Sequence, residues 1–367
     1  MSAAQDRRYL ALALSLGRRG QGRTWPNPAV GCVIVNDGRI VGRGWTAPGG
    51  RPHAEPQALA QAGDAARGAT AYVSLEPCAH HGKTPPCSQA LIDAGIARVV
   101  APLEDTDPRV SGQGFAQLRA AGIEVTTGLL ADQAEADHAG FFIRTEQGRP
   151  FVTLKLANSF DGRIATATGD SQWITGPVAR RAVHAMRMRN DAVMVGAGTA
   201  RGDDPSLTVR DMGVDHQPVR VVVSRRLDLP LSGLLARTAK DVPVWLCHGA
   251  DADDMLQQTW DGLGAELIRC DVTGGHLDPR SVLQGLGAAG LTRVFCEGGG
   301  ALAASLLAAD LVDELVGFSA GVVIGAEGTP AIGAMGLARL VEAPRFELIE
   351  TRDLGGDVLH RWRRSGG

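Results

Sequence analysis

The sequence predicts two consecutive α/β layered domains. Its 367 residues are enough for two domains of ordinary size. Short strand-like apolar runs alternate with helix-like stretches in both halves, the pattern of layered α/β structure. A polar segment with Gly and Pro, residues 144–150, interrupts that alternation and reads as a linker. The expected domains are therefore residues 1–145 and 150–367.

The elements follow in order. Residues 3–19 have helical periodicity and, lacking a long apolar core before a cleavage site, read as an amphipathic helix and not a signal peptide. Residues 29–35 and 40–44 are apolar runs around Asn36-Asp37-Gly38, a hairpin pattern. Helix 54–62, strand 69–75, helix 88–94, strand 98–101, helix 115–121 and strand 123–126 complete the first half. The second half opens on strand 151–156, with Lys155 inside an apolar run. Buried-strand candidates recur at 192–195, Val219–Val223, 242–246 and 293–296, and residues 301–309 are helical.

Composition excludes several classes of function. Apolar residues make up 44% and charged residues 21%, ordinary for a globular chain. The net charge of −3 gives no basic field to attract nucleic acid. No run of 18 apolar residues is present, so no membrane span is expected. Six cysteines are too few for a disulfide framework in a chain of this length, which points to a reducing cytoplasm.

One constellation carries chemistry. His53-Ala54-Glu55 opens a predicted helix, Pro77-Cys78 ends a predicted strand, and Cys87 opens the next helix. One His and two Cys leave the fourth position of a tetrahedral zinc free for water, with ligands about 2.0–2.3 Å from the metal. His-x-Glu followed by Pro-Cys and a second Cys is the zinc deaminase pattern. Zinc lowers the pKa of its water to about 7. Glu55, two residues from a ligand, can then carry a proton to a ring nitrogen and on to leaving ammonia. A purely structural zinc would need a fourth ligand, which His80 or His81 could supply. The pattern departs from its usual form in one way: eight residues, not two, separate the cysteines, and they include two His and Lys83. Cationic and imidazole groups beside the metal suit a phosphorylated substrate or a polar ring edge.

Pro26-Asn27-Pro28-x-Val30-Gly31, Pro52-His53-Ala54-Glu55 and Leu75-Glu76-Pro77-Cys78-x-His80-His81-Gly82-Lys83-Thr84-Pro85-Pro86-Cys87 together resemble the deaminase half of the bifunctional riboflavin-biosynthesis deaminase/reductase family. That family hydrolyses the exocyclic amine of 2,5-diamino-6-ribosylamino-4(3H)-pyrimidinone 5′-phosphate. The resemblance implies zinc, one per chain, on His53, Cys78 and Cys87, with Glu55 as acid/base. It places Asn27, His80 and Lys83 at the substrate. Two features depart from the family: Trp25 stands where His is common, and Pro56-Gln57 follow His-Ala-Glu.

In the second half, Glu297-Gly298-Gly299-Gly300 lies between a strand and a helix, a geometry that favours anions. It is not the G-x-G-x-x-G fingerprint. Read alone, it is more often a turn than a cofactor site. Lys155-x-Ala157-x-Ser159-Phe160-Asp161-Gly162, Ser171-Gln172-Trp173-Ile174-Thr175, Gly196-x-Gly198-Thr199 and Asp203-Asp204-Pro205-x-Leu207-Thr208-x-Arg210 resemble the same family's reductase half. The resemblance implies a cytidine-deaminase-like α/β/α layered domain followed by a dihydrofolate-reductase-like α/β domain that uses NADPH to reduce ribosyl to ribityl. Ser171, Arg187, Leu207, Arg210 and Glu297 fall at substrate positions. Ala157, Trp173, Thr199, Asp203, Ser224 and the run Gly299, Gly300, Ala301, Leu302, Ala303, Ala304 and Ser305 fall at cofactor positions. Arg187 and Arg210 suit a phosphate, since a planar guanidinium binds it through two donors. The expected assembly is a homo-oligomer acting on a small pyrimidine ribotide, without nucleic-acid or membrane partners. The rival readings are a nucleic-acid base deaminase, a metal-stabilised NADP-binding regulator, and a deaminase with an inactive reductase half.

Overall fold

The computed structural model describes residues 2–80, 85–108 and 110–365. The chain divides into two compact units, Met1–Gly148 and Arg149–Gly367. No helix among the described residues is long and apolar enough to cross a membrane.

The first unit contains α1 (Ala3–Gly17), β1 (Gly31–Asn36), β2 (Arg39–Trp45), α2 (Ala54–Ala62), β3 (Thr70–Val73), α3 (Cys87–Asp93), β4 (Arg98–Val100), α4 (Gln113–Ala120), β5 (Glu124–Thr126) and α5 (Ala131–Gln147). Its sheet runs β2-β1-β3-β4-β5. The β1–β2 and β1–β3 pairs are antiparallel, and β3–β4 and β4–β5 are parallel. Strand alternation makes the three layers. Cys32, Ile34, Ala71 and Val73 face α2, α3 and α4, whereas Val33, Val35 and Tyr72 face α1. Ser2 and Gln5 form a capping box that starts α1. The expected linker at 144–150 is shorter than its composition suggests, because residues 144–147 complete the last turn of α5. Gly148, at φ 70°, ends that helix in the left-handed conformation.

The second unit contains β6 (Phe151–Ser159), β7 (Arg163–Ala165), α6 (Pro177–Arg187), β8 (Ala192–Gly196), α7 (Ala197–Asp203), β9 (Val219–Val223), α8 (Leu234–Arg237), β10 (Val244–His248), α9 (Asp254–Gly262) and β11 (Glu266–Arg269). After these come β12 (Val272–Thr273), β13 (His276–Leu277), α10 (Pro279–Ala288), β14 (Arg293–Cys296), α11 (Gly300–Ala308), β15 (Glu314–Ala320), β16 (Thr329–Pro330), β17 (Phe346–Asp353) and β18 (Asp357–Arg364). The large sheet runs β11-β10-β9-β8-β14-β6-β15-β18-β17. It is parallel from β11 to β15, and β18 and β17 close it as an antiparallel hairpin. In open α/β sheets the carboxyl ends of parallel strands form the binding crevice. Here those ends carry Ala157 on β6, Gly196 on β8, Ser224 after β9 and Glu297 after β14.

Candidate active sites

Two helix starts converge in the first unit. His53 is the N-cap of α2, and Glu55 lies in its first turn. Cys87 is the first residue of α3, preceded by Pro86 at the cap. The placement of α2 depends on β2. A Cβ at Gly42 or Gly44 would meet the carbonyl oxygens of Ala58 or Ala54 at 2.1 and 2.2 Å, so only glycine lets the helix lie this close. The amide of Gln57 then ties the helix start down, donating to the carbonyls of His53 at 2.9 Å and Trp45 at 2.5 Å. Cys78 does not end a strand as expected. β3 stops at Val73, and the segment after it carries Cys78 to the start of α3, where the Cys87 N–H donates to its Sγ at 3.4 Å.

His53 Nδ1 lies 3.3 Å from Cys87 Sγ and 3.6 Å from Cys78 Sγ. All three donor atoms are within 4.8 Å of one another, and they are the one group of this kind among the described residues. Ligands about 2.0–2.3 Å from a tetrahedral ion need such separations, so the residues fit zinc. Protonation states agree with a cation site. The neighbouring Cys87 and His53 hold the Cys78 thiol down at about 4, against burial. Cys87, beside Cys78 and buried, is pushed far up. Two sulfurs this close cannot both ionise without a cation between them. Glu55 is 3% exposed, and burial followed by the Cys78 charge raises its carboxyl above the usual range. That is the direction a general acid needs near neutral pH.

A cavity of about 330 Å³ opens onto this centre. Asn27, His53, Glu55, Cys78 and His80 line it, so five expected residues meet in one place. His80 Nδ1 is buried with no hydrogen-bond partner among the described residues. Lys83 and His81 lie outside the described residues. Trp25 is not a lining residue; its neighbour Pro26 is. The sequence reading missed Arg51, Asp105, Phe141 and Arg144, which also line the cavity. Burial pushes the Asp105 carboxyl up to about 7. Glu76, quoted in the motif without a role, accepts the N–H groups of Asp105, Gly112 and Phe115 at 3.0, 2.9 and 3.1 Å and so fixes the cavity's far wall.

In the second unit, Glu297 sits at the end of β14 with its side chain 8% exposed. Arg187 on α6 reaches it through Nε at 2.5 Å and Nη2 at 3.1 Å, and Lys155 on β6 lies 3.7 Å away. Burial alone would raise the Glu297 carboxyl, but Arg187 and Lys155 outweigh it and hold the group below its ordinary range. Arg187, expected at a substrate position, places Nε and Nη2 on Glu297 and gives Nη1 to the Thr208 carbonyl at 2.8 Å. Arg210 is exposed and bonds Ser206 Oγ. Leu207 is buried at φ 54°. Trp173 is 67% exposed under the Arg180 guanidinium, near Ser171 in the chain.

The glycine loop divides unevenly. A Cβ at Gly300 would meet the Pro330 carbonyl at 2.7 Å, and one at Gly298 would meet Leu302 at 2.7 Å, so both serve packing within the protein. At Gly299 the nearest atom would be Thr199 Oγ1 at 3.6 Å, which leaves an open cradle at the start of α11. Gly299, Gly300, Ala301 and Leu302 hold the open N–H end of that helix. Of the other expected cofactor positions, Ala303 and Ala304 are buried and Ser305 lies beyond the first turn. Asp203 ends α7 on the surface, and Ser224 is buried with its hydroxyl 3.3 Å from Asp228. Strand ends, an open glycine and a helix start fit a dinucleotide phosphate.

A zinc-dependent hydrolytic deaminase joined to a reductase is the class that these sites define. Residues 3–103 match the family model described as cytidine and deoxycytidylate deaminase zinc-binding region, and residues 150–360 match the RibD C-terminal domain. The riboflavin biosynthesis protein RibD of Escherichia coli (strain K12) is 42% identical over 97% of this chain and 99% of its own length. RibD of Haemophilus influenzae is 41% identical over 97% and 96%. Among solved structures, Acinetobacter baumannii RibD, form 1, superposes with a TM-score of 0.89 at 36% identity, covering 100% of both chains. The diaminohydroxyphosphoribosylaminopyrimidine deaminase/5-amino-6-(5-phosphoribosylamino)uracil reductase of Thermotoga maritima gives 0.86 at 33%, covering 99% of both. This chain belongs to the RibD family of bifunctional deaminase–reductases of riboflavin biosynthesis, with zinc and NADPH as cofactors.

Proposed function

We propose that residues 1–145 deaminate 2,5-diamino-6-ribosylamino-4(3H)-pyrimidinone 5′-phosphate and that residues 150–367 then reduce its ribosyl group to ribityl with NADPH. The observation that carries this reading is the buried Glu55 carboxyl opening, with His53 and Cys78, onto one cavity of about 330 Å³. His53, Cys78 and Cys87 would hold a zinc ion, which when bound would supply an acidified water. Glu55 is the residue placed to hold a proton and pass it to the ring nitrogen and then to the leaving ammonia. Asn27 and His80, whose Nδ1 has no hydrogen-bond partner among the described residues, orient the pyrimidine, and the family motif assigns Lys83 to the substrate. In the reductase, Ser171, Arg187, Leu207, Arg210 and Glu297 belong to the ribotide side, and Arg187 also holds Glu297 in place. Ala157, Trp173, Thr199, Asp203, Ser224 and the Gly299–Ser305 run belong to the cofactor side, and within that run Gly299–Leu302 would meet its phosphate.

The test supplies zinc-loaded protein with the diaminopyrimidine ribotide and NADPH and follows ammonia and NADPH separately. Stoichiometric release and oxidation are expected; ammonia without oxidation would leave the reductase half inactive. Six free cysteines support a cytoplasmic setting. The edge strand β17, with Leu348 51% and Ile349 41% exposed, supports a homo-oligomer, which sedimentation would reveal.

A further inference from the structure

Two side chains one turn apart on α6 hold the loop that follows α7. Arg187 donates from Nη1 to the Thr208 carbonyl at 2.8 Å. His184 accepts the Arg210 backbone N–H on Nδ1 at 3.3 Å. Residues three apart on a helix share a face, so the loop is pinned at two points from one surface. Nε and Nη2 of Arg187 are committed to Glu297. Arg210 is different: its side chain is exposed, and its bonding partner among the described residues, Ser206, belongs to the same loop. Within the loop, Gln217 holds the Val209 backbone through its N–H at 2.7 Å and its carbonyl at 3.0 Å, while the Arg210 N–H itself rests on His184 of α6.

We propose that His184 is a positioning residue of the reductase, which accepts the Arg210 N–H on Nδ1 and thereby aims the Arg210 guanidinium at the phosphate of the ribotide. This rests on the reading of Arg210 as a substrate ligand. The contact is possible in one protonation state. A neutral imidazole has a single acceptor nitrogen, so Nδ1 accepting places the ring proton on Nε2. A second proton must go to Nδ1, where it opposes the Arg210 N–H. The charged groups facing the ring are Arg187 on its own helix, Arg210 and Asp211 on the loop, and Glu297 at the end of β14. Burial and the two guanidiniums outweigh the two carboxylates and hold the imidazole below its ordinary 6.5. The contact is therefore intact at neutral pH and is lost as pH falls below 6.5 through the lowered value.

The experiment uses the full-length zinc-loaded enzyme with NADPH and the already deaminated ribotide, from about pH 5 to about pH 8. Three variants are compared. His184→Leu removes the acceptor. His184→Asn puts an amide oxygen where Nδ1 stands, without a titration, at similar helix propensity. Arg210→Ala tests the underlying reading. His184→Leu should raise the KM for the ribotide by about tenfold, because a backbone N–H loses its partner. Its kcat and its KM for NADPH should stay at wild-type values. His184→Asn should restore the neutral-pH KM and abolish the rise in KM that the wild type shows on acidification. A wild-type KM in His184→Leu would overturn the proposal, and so would an acid rise that persists in His184→Asn. If Arg210→Ala leaves KM unchanged, the reading of Arg210 has failed and the proposal falls with it. If Arg210→Ala raises KM and His184→Leu does not, the role of His184 alone is wrong.

Discussion

The zinc centre and the Glu297 cluster reach function by opposite routes. Every zinc ligand comes from a short stretch between His53 and Cys87, and two helix starts bring them together. Lys155, Arg187 and Glu297 come from three separate elements, and the parallel sheet brings them together. Coordination restricts the residue type, so the first site is chemically unmistakable and intolerant of change. An ion-pair cluster uses common side chains, and its meaning lies in which carboxylate faces which cation. A defect at the first site should therefore be complete and confined to deamination. Defects at the second should be graded.

The largest expected effect is that of Cys87→Ala. It removes a thiolate ligand and should abolish both zinc content and ammonia release while NADPH oxidation with the deaminated ribotide continues. Elemental analysis showing one zinc per chain in this variant would break the comparison. Next comes Glu297→Gln. A hydrogen bond from a charged group is worth about 1.5–3 kcal/mol, so losing the one Glu297 makes to the ribotide should lower reduction by roughly a hundredfold. NADPH affinity should stay near wild type by calorimetry; its loss would put Glu297 on the cofactor side.

The glycine loop gives a finer contrast. Gly299→Val should weaken NADPH binding by about tenfold at a stability cost of about 1 kcal/mol or less, that of a poorer helix N-cap, because no protein atom crowds a Cβ there. Gly300→Ala should instead cost about 1–3 kcal/mol in denaturant unfolding, through contact with the Pro330 carbonyl. If the two variants exchange phenotypes, the division of the loop is wrong.

The smallest effect concerns Asp6, whose carboxylate bonds Arg98 at 2.9 and 3.0 Å and Tyr72 at 2.7 Å. Burial would raise its pKa, but these partners hold it below 3.8. A lowered carboxylate stabilises the fold above its unfolded value and loses that contribution as pH falls through the folded one. Asp6→Asn should thus cost about 1–2 kcal/mol at neutral pH and progressively less below pH 3.8, read from thermal melts.

The same contrast explains what the sequence reveals. His53, Glu55 and Cys87 are legible because each sits at a helix start that local pattern already marks. Cys78 is legible as a ligand, although not as the end of a strand. Glu76 is not legible in role, because its three N–H donors lie 29 to 39 residues away. The pairing of Arg187 with Glu297, 110 residues on, is not legible either. The hairpin of β17 and β18 escapes the sequence reading for another reason. Both strands carry Glu, Arg or Asp among their apolar residues, β17 lies at the sheet edge, and the period of two is hidden.

The central claim is that one chain holds two separate chemistries, with Glu55 serving only the first. The direct measurement gives the Glu55→Gln protein two substrates in turn. With the diaminopyrimidine ribotide, ammonia release should fall by at least roughly a hundredfold while zinc is retained. With the already deaminated ribotide, NADPH should be oxidised at the wild-type rate. Undiminished ammonia release, or loss of NADPH oxidation with the deaminated substrate, would contradict the account.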